Sequence, residues 1–229
     1  MGAHEDPVAR AAAFAAVGLG AAGIGPAPSA ATEARLVDAA AADPDPRARA
    51  AAIGALARVG TPVPAADAWG RAVADAEPEV RRRAAEVAPM LAGRTPSAAL
   101  IAPLARLLGD EDVTVVEAAA WALGELGDAA IAGGAVGALA DVAIGHDDML
   151  AREAAVGALG ALGDEAGLPA ILAGCRDKPT IRRRAVLALA PFEGAEVEAA
   201  LGEARADRDW QVRQAAEDLT RDTDPDSRE

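Results

Sequence analysis

The feature that most constrains this chain is a segment that recurs along its 229 residues. Aligned on one anchor position, the copies carry Arg10, Arg49, Arg81, Val116, Arg152, Arg182 and Arg213, at spacings of 30 to 39 residues. Three residues after each anchor stands alanine: Ala13, Ala52, Ala84, Ala119, Ala155, Ala185 and Ala216. One before it are Ala9, Ala48, Val80, Val115, Ala151, Ile181 and Val212. Seven after it are Val17, Leu56, Ala88, Leu123, Leu159, Leu189 and Thr220. Offsets of −1, +3 and +7 fall on one face of a helix, so each copy holds a helix with an apolar stripe.

The starts of these helices are marked too. Four residues before the anchor sit Asp6, Asp45, Glu77, Asp112, Asp148 and Asp209, with Lys178 as the exception. Proline follows at Pro7, Pro46, Pro78 and Pro179. An acid there accepts from the orphan N–H groups of the first turn, and proline at the first helical position has no N–H to lose. Gly60, Gly127 and Gly163 are placed to close helices in the left-handed conformation. Further helices are predicted at 31–42, 64–76, 97–109, 129–144, 165–175 and 195–206. Each unit is then a helical hairpin that cannot bury its own stripe, whereas stacked hairpins can. The expected fold is an all-α solenoid of about six and a half units, forming one domain over residues 1–222 with a disordered tail at 223–229.

Composition fits such a fold. Sixty-six residues are alanine, there is no tyrosine, and only two phenylalanines and three tryptophans are present, which excludes an aromatic-rich sandwich or barrel. Alanine at the contact face lets helix axes approach to about 8 Å. Thirty-six acids against 22 bases leave a net charge of −14, which disfavours binding to phosphate backbones or anionic membrane surfaces. A single cysteine, Cys175, permits no intrachain disulfide and suits a reducing, cytoplasmic compartment.

The segments Asp75…Val80-Arg81-Arg82-Arg83-Ala84, Asp207…Val212-Arg213-Gln214-Ala215-Ala216 and Arg152-Glu153-Ala154-Ala155-Val156-Gly157-Ala158-Leu159-Gly160 resemble the HEAT repeat family, especially the short HEAT-like repeats also found in phycobilisome lyases. The resemblance implies a ladder in which an acid six residues before the anchor pairs with arginines of the same or adjacent repeats. Asp43, Asp75, Asp110 and Asp207 fit the acid slot, and Arg49, Arg81, Arg152, Arg182 and Arg213 the basic one. His4, His146 and Arg176 depart from it and Val116 lacks the arginine, so breaks are expected at the fourth and sixth anchors.

The resemblance also implies that the second helices line a concave surface, into which offsets +1, +5 and +9 point. Those positions include Arg82, Glu86 and Met90; Glu117, Trp121 and Glu125; Glu153; and Arg183 and Leu187. Tryptophan, arginine and methionine are favoured at interface centres. Trp121 between Glu117 and Glu125 suits a peptide with an apolar anchor and basic neighbours; alternatively it fills space left by Ala118 and Ala122. Trp69 is expected in the core, and Trp210 over the end of the last helix. Two basic clusters, Arg81 to Arg83 and Arg176, Lys178 with Arg182 to Arg184, are read either as solvated arginines relieving an acidic array or as a contact for phosphate or an acidic peptide.

Catalytic chemistry has no visible constellation: no nucleophile elbow, zinc-helix motif or phosphate loop is present. His4-Glu5 and His146-Asp147 resemble, faintly, the His-Glu pairs of an iron-dependent HEAT-repeat hydroxylase, but no metal or other cofactor is expected. Cys175 beside Arg176 and Lys178 is either a small buried hydrophobe or a reactive thiol. The functional expectation is a non-catalytic scaffold that binds a partner protein or peptide on the concave face. The alternative is an accessory, lyase-like protein acting on a cofactor-bearing or modified partner; nucleic-acid binding ranks below both. The Ala/Gly-rich face of the first helix lacks a polar cap, which points either to an upstream part of the chain that is missing or to a partner or homo-contact there.

Overall fold

The computed structural model describes residues 6–20, 29–59 and 62–222, and they form helices joined by short turns. The order is α1 (Pro7–Gly20), α2 (Ala30–Ala42), α3 (Pro46–Val59), α4 (Pro62–Ala72), α5 (Pro78–Leu91), α6 (Ser97–Leu107), α7 (Val113–Glu125), α8 (Asp128–Ala132), α9 (Ala135–Gly145), α10 (Met149–Leu162), α11 (Leu168–Gly174), α12 (Pro179–Ala188), α13 (Ala195–Arg205) and α14 (Trp210–Asp222). A 3-10 turn, Glu165–Gly167, leads into α11. No strand occurs among the described residues. No helix among them is long and apolar enough to cross a membrane. The fold is an all-α repeat solenoid, and the anchors lie on α1, α3, α5, α7, α10, α12 and α14.

The helix starts follow the local chemistry. Asp45, Asp112, Asp148 and Asp209 each accept a hydrogen bond from the backbone N–H two residues on, at 2.7 to 2.9 Å. Asp6 does the same for Val8 at 2.9 Å. Glu77 makes no such bond: its extra methylene carries the carboxylate past the N–H groups, and Lys178 has no acceptor to offer. The helix expected over 129–144 is divided between α8 and α9 at Gly133 and Gly134; Gly134, at φ +77°, adopts a left-handed conformation closed to most side chains. Gly163 closes α10 at φ +64°, as a left-handed cap requires. Gly60 and the tail 223–229 lie outside the described residues.

The chain forms two compact units that meet within α7, one ending at Ala122 and the other starting at Leu123. In the first, α3 packs between α1 and α5 with α2 and α4 behind; in the second, α12 packs between α10 and α14, with α11 and α13 behind. The stripe positions form the core. At +3, Ala52, Ala84, Ala119, Ala155, Ala185 and Ala216 are all fully buried, whereas Ala13 on α1 is exposed. At −1, Ala48, Val80, Val115, Ala151, Ile181 and Val212 are buried likewise.

Successive anchor helices come close through paired small residues. A Cβ added to Gly18 would lie 3.0 Å from Ala55 Cα, one on Gly124 3.2 Å from Ala158 Cα, and one on Gly160 2.6 Å from Ala188 Cα. These glycines all stand eight residues after an anchor, and the alanines six after the next. Trp69, buried on α4, donates from its indole N–H to the Ala84 carbonyl on α5 at 2.7 Å, so its polar edge is satisfied inside the core.

Candidate functional site

Two sets of side chains organise the surface: a ladder at the starts of the anchor helices and a stripe along their exposed face. In the ladder, each arginine reaches forward to the acid of the next repeat. Arg10 binds Asp43 at 2.9 and 2.8 Å, Arg49 binds Asp75 at 2.9 and 2.8 Å, and Arg81 binds Asp110 at 2.7 and 2.8 Å, each through two N–H groups. In the second unit Arg152 binds Asp177 at 2.8 and 3.2 Å, and Arg182 binds Asp207 at 2.7 Å twice. The remaining guanidinium nitrogen turns back to its own repeat. Arg49 donates to the Asp43 carbonyl, Arg81 to that of Asp75, Arg182 to that of Asp177 and Arg213 to that of Asp207, all at 2.7 to 2.9 Å. Arg49, Arg81, Arg152 and Arg182 thus tie their own turn to the next one, with the planar fork matched to a carboxylate, while Arg213, among the described residues, binds only carbonyls of its own turn.

The expected break at the sixth anchor is corrected. Arg176 occupies the acid slot, but Asp177, one residue later, takes the pair with Arg152. At the fourth anchor Val116 supplies no guanidinium, and six residues before the fifth His146 supplies no carboxylate. His146 keeps half of the acid's role. In other repeats the ladder carboxylate also accepts from the backbone N–H two residues on, as Asp75 does from Glu77 and Asp110 from Asp112, both at 3.0 Å. His146 Nδ1 accepts from the Asp148 N–H at the same 3.0 Å, so the imidazole supplies the acceptor that shapes the turn.

The pairing sets the titration of the acids. The hydrogen bond from Arg81 holds the Asp110 carboxyl below the usual carboxylate range, against the opposing effect of burial. The same cause lowers Asp43, Asp177 and Asp207. For Asp75 burial is the largest influence and would raise it, but the Arg49 hydrogen bond, the Glu77 N–H and the charges of Arg49 and Arg81 together carry it downward. The Cys175 thiol is pushed up to about 11 by burial, against the pull of Arg176, beside the cluster of Val186, Ala204 and Val212. The reactive-thiol reading is thereby corrected: at neutral pH the group is a protonated, apolar side chain.

The exposed stripe lies at +1, +5 and +9, and the structure extends it one turn towards the helix start, to −3. On α5, Arg82 and Met90 are exposed and Glu86 is half-buried, paired with Arg82 at 3.3 Å and Arg83 at 2.9 Å. On α7, Trp121 is 48% exposed between half-buried Glu117 and exposed Glu125. On α10, half-buried Glu153 meets Arg184 of α12 at 3.8 Å, and on α12 Arg183 and Leu187 are exposed.

The expectation for Trp210 is corrected. It is 64% exposed and lines a groove on the second unit with Arg183, Leu187, Gln211, Gln214 and Asp218, rather than covering the end of α14. It sits four residues before Gln214 and eight before Asp218, at −3, +1 and +5 of the last anchor. Continuing the i, i+4 spacing back by one turn finds it in the sequence. Met149 occupies −3 on α10 in the same way and is 39% exposed. His4 lies outside the described residues.

The family model for HEAT repeats matches residues 66–143 and 136–220. No curated protein sequence matches the chain. Among solved structures it is similar to a designed armadillo repeat protein in complex with the peptide (KR)4, with a TM-score of 0.61 and 17% identity over 81% of this chain and 97% of that one. An Escherichia coli protein, YibA, gives a TM-score of 0.61 and 14% identity over 96% of this chain and 77% of that one. Kap95p, whose binding to RanGDP that structure describes, gives 0.64 and 13% identity over 98% of this chain and 35% of its own length. At these identities the likeness is one of fold.

Proposed function

Because the chain belongs to the HEAT repeat family, we propose that it is a non-catalytic cytoplasmic scaffold that binds a partner protein or peptide on the exposed stripe of its anchor helices, the expected concave face. One observation carries this reading. Among the described residues, eight large apolar side chains are exposed, and five of them stand at the offsets −3, +1, +5 and +9 of their own anchor helices: Met90 and Trp121 in the first unit, Met149, Leu187 and Trp210 in the second. Random exposure would scatter them around the helices, where single apolar groups are ordinary; recurrence at one helical position is not. Tryptophan and methionine are also the residues that anchor interfaces. On α7 the carboxylates of Glu117 and Glu125, one turn either side of Trp121, favour a segment whose apolar anchor is flanked by basic residues. Support from relatives is of the same kind: a designed armadillo protein of this fold holds a (KR)4 peptide.

Affinity capture from native-host extract tests it, using the intact chain, Met90→Ala, Trp121→Ala, and Ile144→Ala as a control whose exposed side chain lies off the stripe. The reading requires a specific partner that Trp121→Ala loses and Ile144→Ala retains. Equal capture by all four proteins counts against it.

A further inference from the structure

The groove between α12 and α14 carries a chemistry of its own. Of the three consecutive arginines on α12, Arg182 is bound to Asp207 at 2.7 Å and Arg184 meets Glu153 at 3.8 Å. Arg183, between them, has no carboxylate within 4.0 Å among the described residues, in a chain with 36 acids for 22 bases. The equivalent residue on α5, Arg82, shows what is missing. At +1 it closes on Glu86 at +5, one turn along its own helix; on α12 the +5 position is Leu187. Replacing that glutamate by leucine frees the guanidinium and adds an apolar surface beside it. Trp210 supplies a second apolar surface in the same groove. The one acid in the lining, Asp218, accepts from the Gln214 amide at 2.7 Å.

We infer that this groove binds an extended peptide of a partner protein in which a large apolar side chain stands next to an aspartate or glutamate. The apolar group lies against Trp210 and Leu187, and its neighbouring carboxylate takes the two-pronged hydrogen bond that Arg183 offers. Asp218 repels a second acid and so gives the peptide a direction. This deepens the scaffold reading and rests on it: the stripe on α7 presents glutamates around its tryptophan, whereas the groove at α14 presents an arginine, so the two select opposite charges.

Selection of a random twelve-residue displayed peptide library on the intact chain tests the inference, with the selected peptides retitrated against Arg183→Glu, Trp210→Ala and Trp121→Ala. All three side chains are exposed, and matching thermal melts establish that the variants fold. The expected result is a class of peptides enriched in Asp or Glu beside Leu, Phe or Trp. Arg183→Glu and Trp210→Ala should each weaken these at least tenfold, while Trp121→Ala leaves them unchanged. Changing the peptide acid to lysine should restore binding to Arg183→Glu. If the selected peptides are basic and depend on Trp121 alone, the inference fails and the scaffold reading stands. Should binding be indifferent to all three substitutions, or no peptide be enriched, the inference falls, and the scaffold reading is decided by the capture with Trp121→Ala.

Discussion

Arg81 grips the Asp110 carboxylate from the preceding repeat, its Nε at 2.7 Å from Oδ2 and its Nη2 at 2.8 Å from Oδ1. Both side chains are mostly buried, at 17% and 7% exposure, and the third nitrogen holds the Asp75 carbonyl of its own turn. Removing the guanidinium therefore strands a carboxylate and a carbonyl together. Arg81→Met should lower unfolding stability by about 2–4 kcal/mol. Arg82→Met, one residue away but paired only along its own exposed helix face, should change it by less than about 0.5 kcal/mol. Urea denaturation of the two variants checks the contrast, and equal losses would show that the ladder is ornamental.

Close helix packing makes a second contrast. A Cβ on Gly160 would collide with the Ala188 backbone, whereas one on Gly137 of α9 meets nothing within 4 Å. Gly160→Ala should destabilise by about 1–3 kcal/mol as α10 and α12 are forced apart. Gly137→Ala should stabilise by up to about 1 kcal/mol through helix propensity and a less mobile unfolded chain. Thermal melts read both signs.

His146 supplies its Nδ1 as the acceptor in a turn where other repeats use aspartate. His146→Ala leaves the Asp148 N–H without its partner and should cost about 0.5–1.5 kcal/mol. His146→Asn, which keeps an acceptor at similar reach, should recover most of that loss. Chemical denaturation of the pair decides it; identical losses would mean the ring is valued for packing and not for Nδ1.

Acid should unfold the protein through its ladder. Asp43, Asp75, Asp110, Asp177 and Asp207 all titrate below their ordinary range when folded. Their contribution is complete above the unfolded carboxyl value of about 4 and is lost as pH falls through the lower folded values, because the unfolded chain then binds more protons. Stability should be level from pH 7 to 5 with respect to these groups and decline steeply below pH 4. A flat profile down to pH 2.5 would contradict this.

The thiol of Cys175 should react slowly in the native state. With its pKa at about 11 instead of 9.0, its thiolate fraction at pH 8 falls about a hundredfold. Timed reaction with a disulfide reagent, native against urea-unfolded, should show at least that ratio.

Most of the architecture was legible because helical periodicity is a one-dimensional signal. The −1, +3 and +7 positions become core, and the aspartates before the anchors become caps. What stayed hidden needed geometry. The division of 129–144 turns on how two adjacent glycines are used, and glycine alone does not announce a break within an apolar run. Asp177 was passed over because slot-counting is rigid while an arginine side chain is not. Glu77 sat in a capping slot with a chain too long to cap. At the candidate site, Trp121 and Met90 could be named from spacing. Trp210 lies one turn before the +1 position at which the spacing opens the stripe, and the isolation of Arg183 depends on the partners of Arg182 and Arg184, which only the structure shows.

The reach of Arg152 to Asp177 bears on how such a molecule can change over evolutionary time. The acid stands six residues before its anchor at Asp43, Asp75, Asp110 and Asp207 and five at Asp177, so the arginine side chain absorbs a one-residue change in that linker. The larger differences, in units of 30 to 39 residues, lie between one anchor and the next acid and leave the pairing geometry untouched. The long, forked side chain is the compliant element that lets an irregular lineage of duplications remain a single stack within each unit.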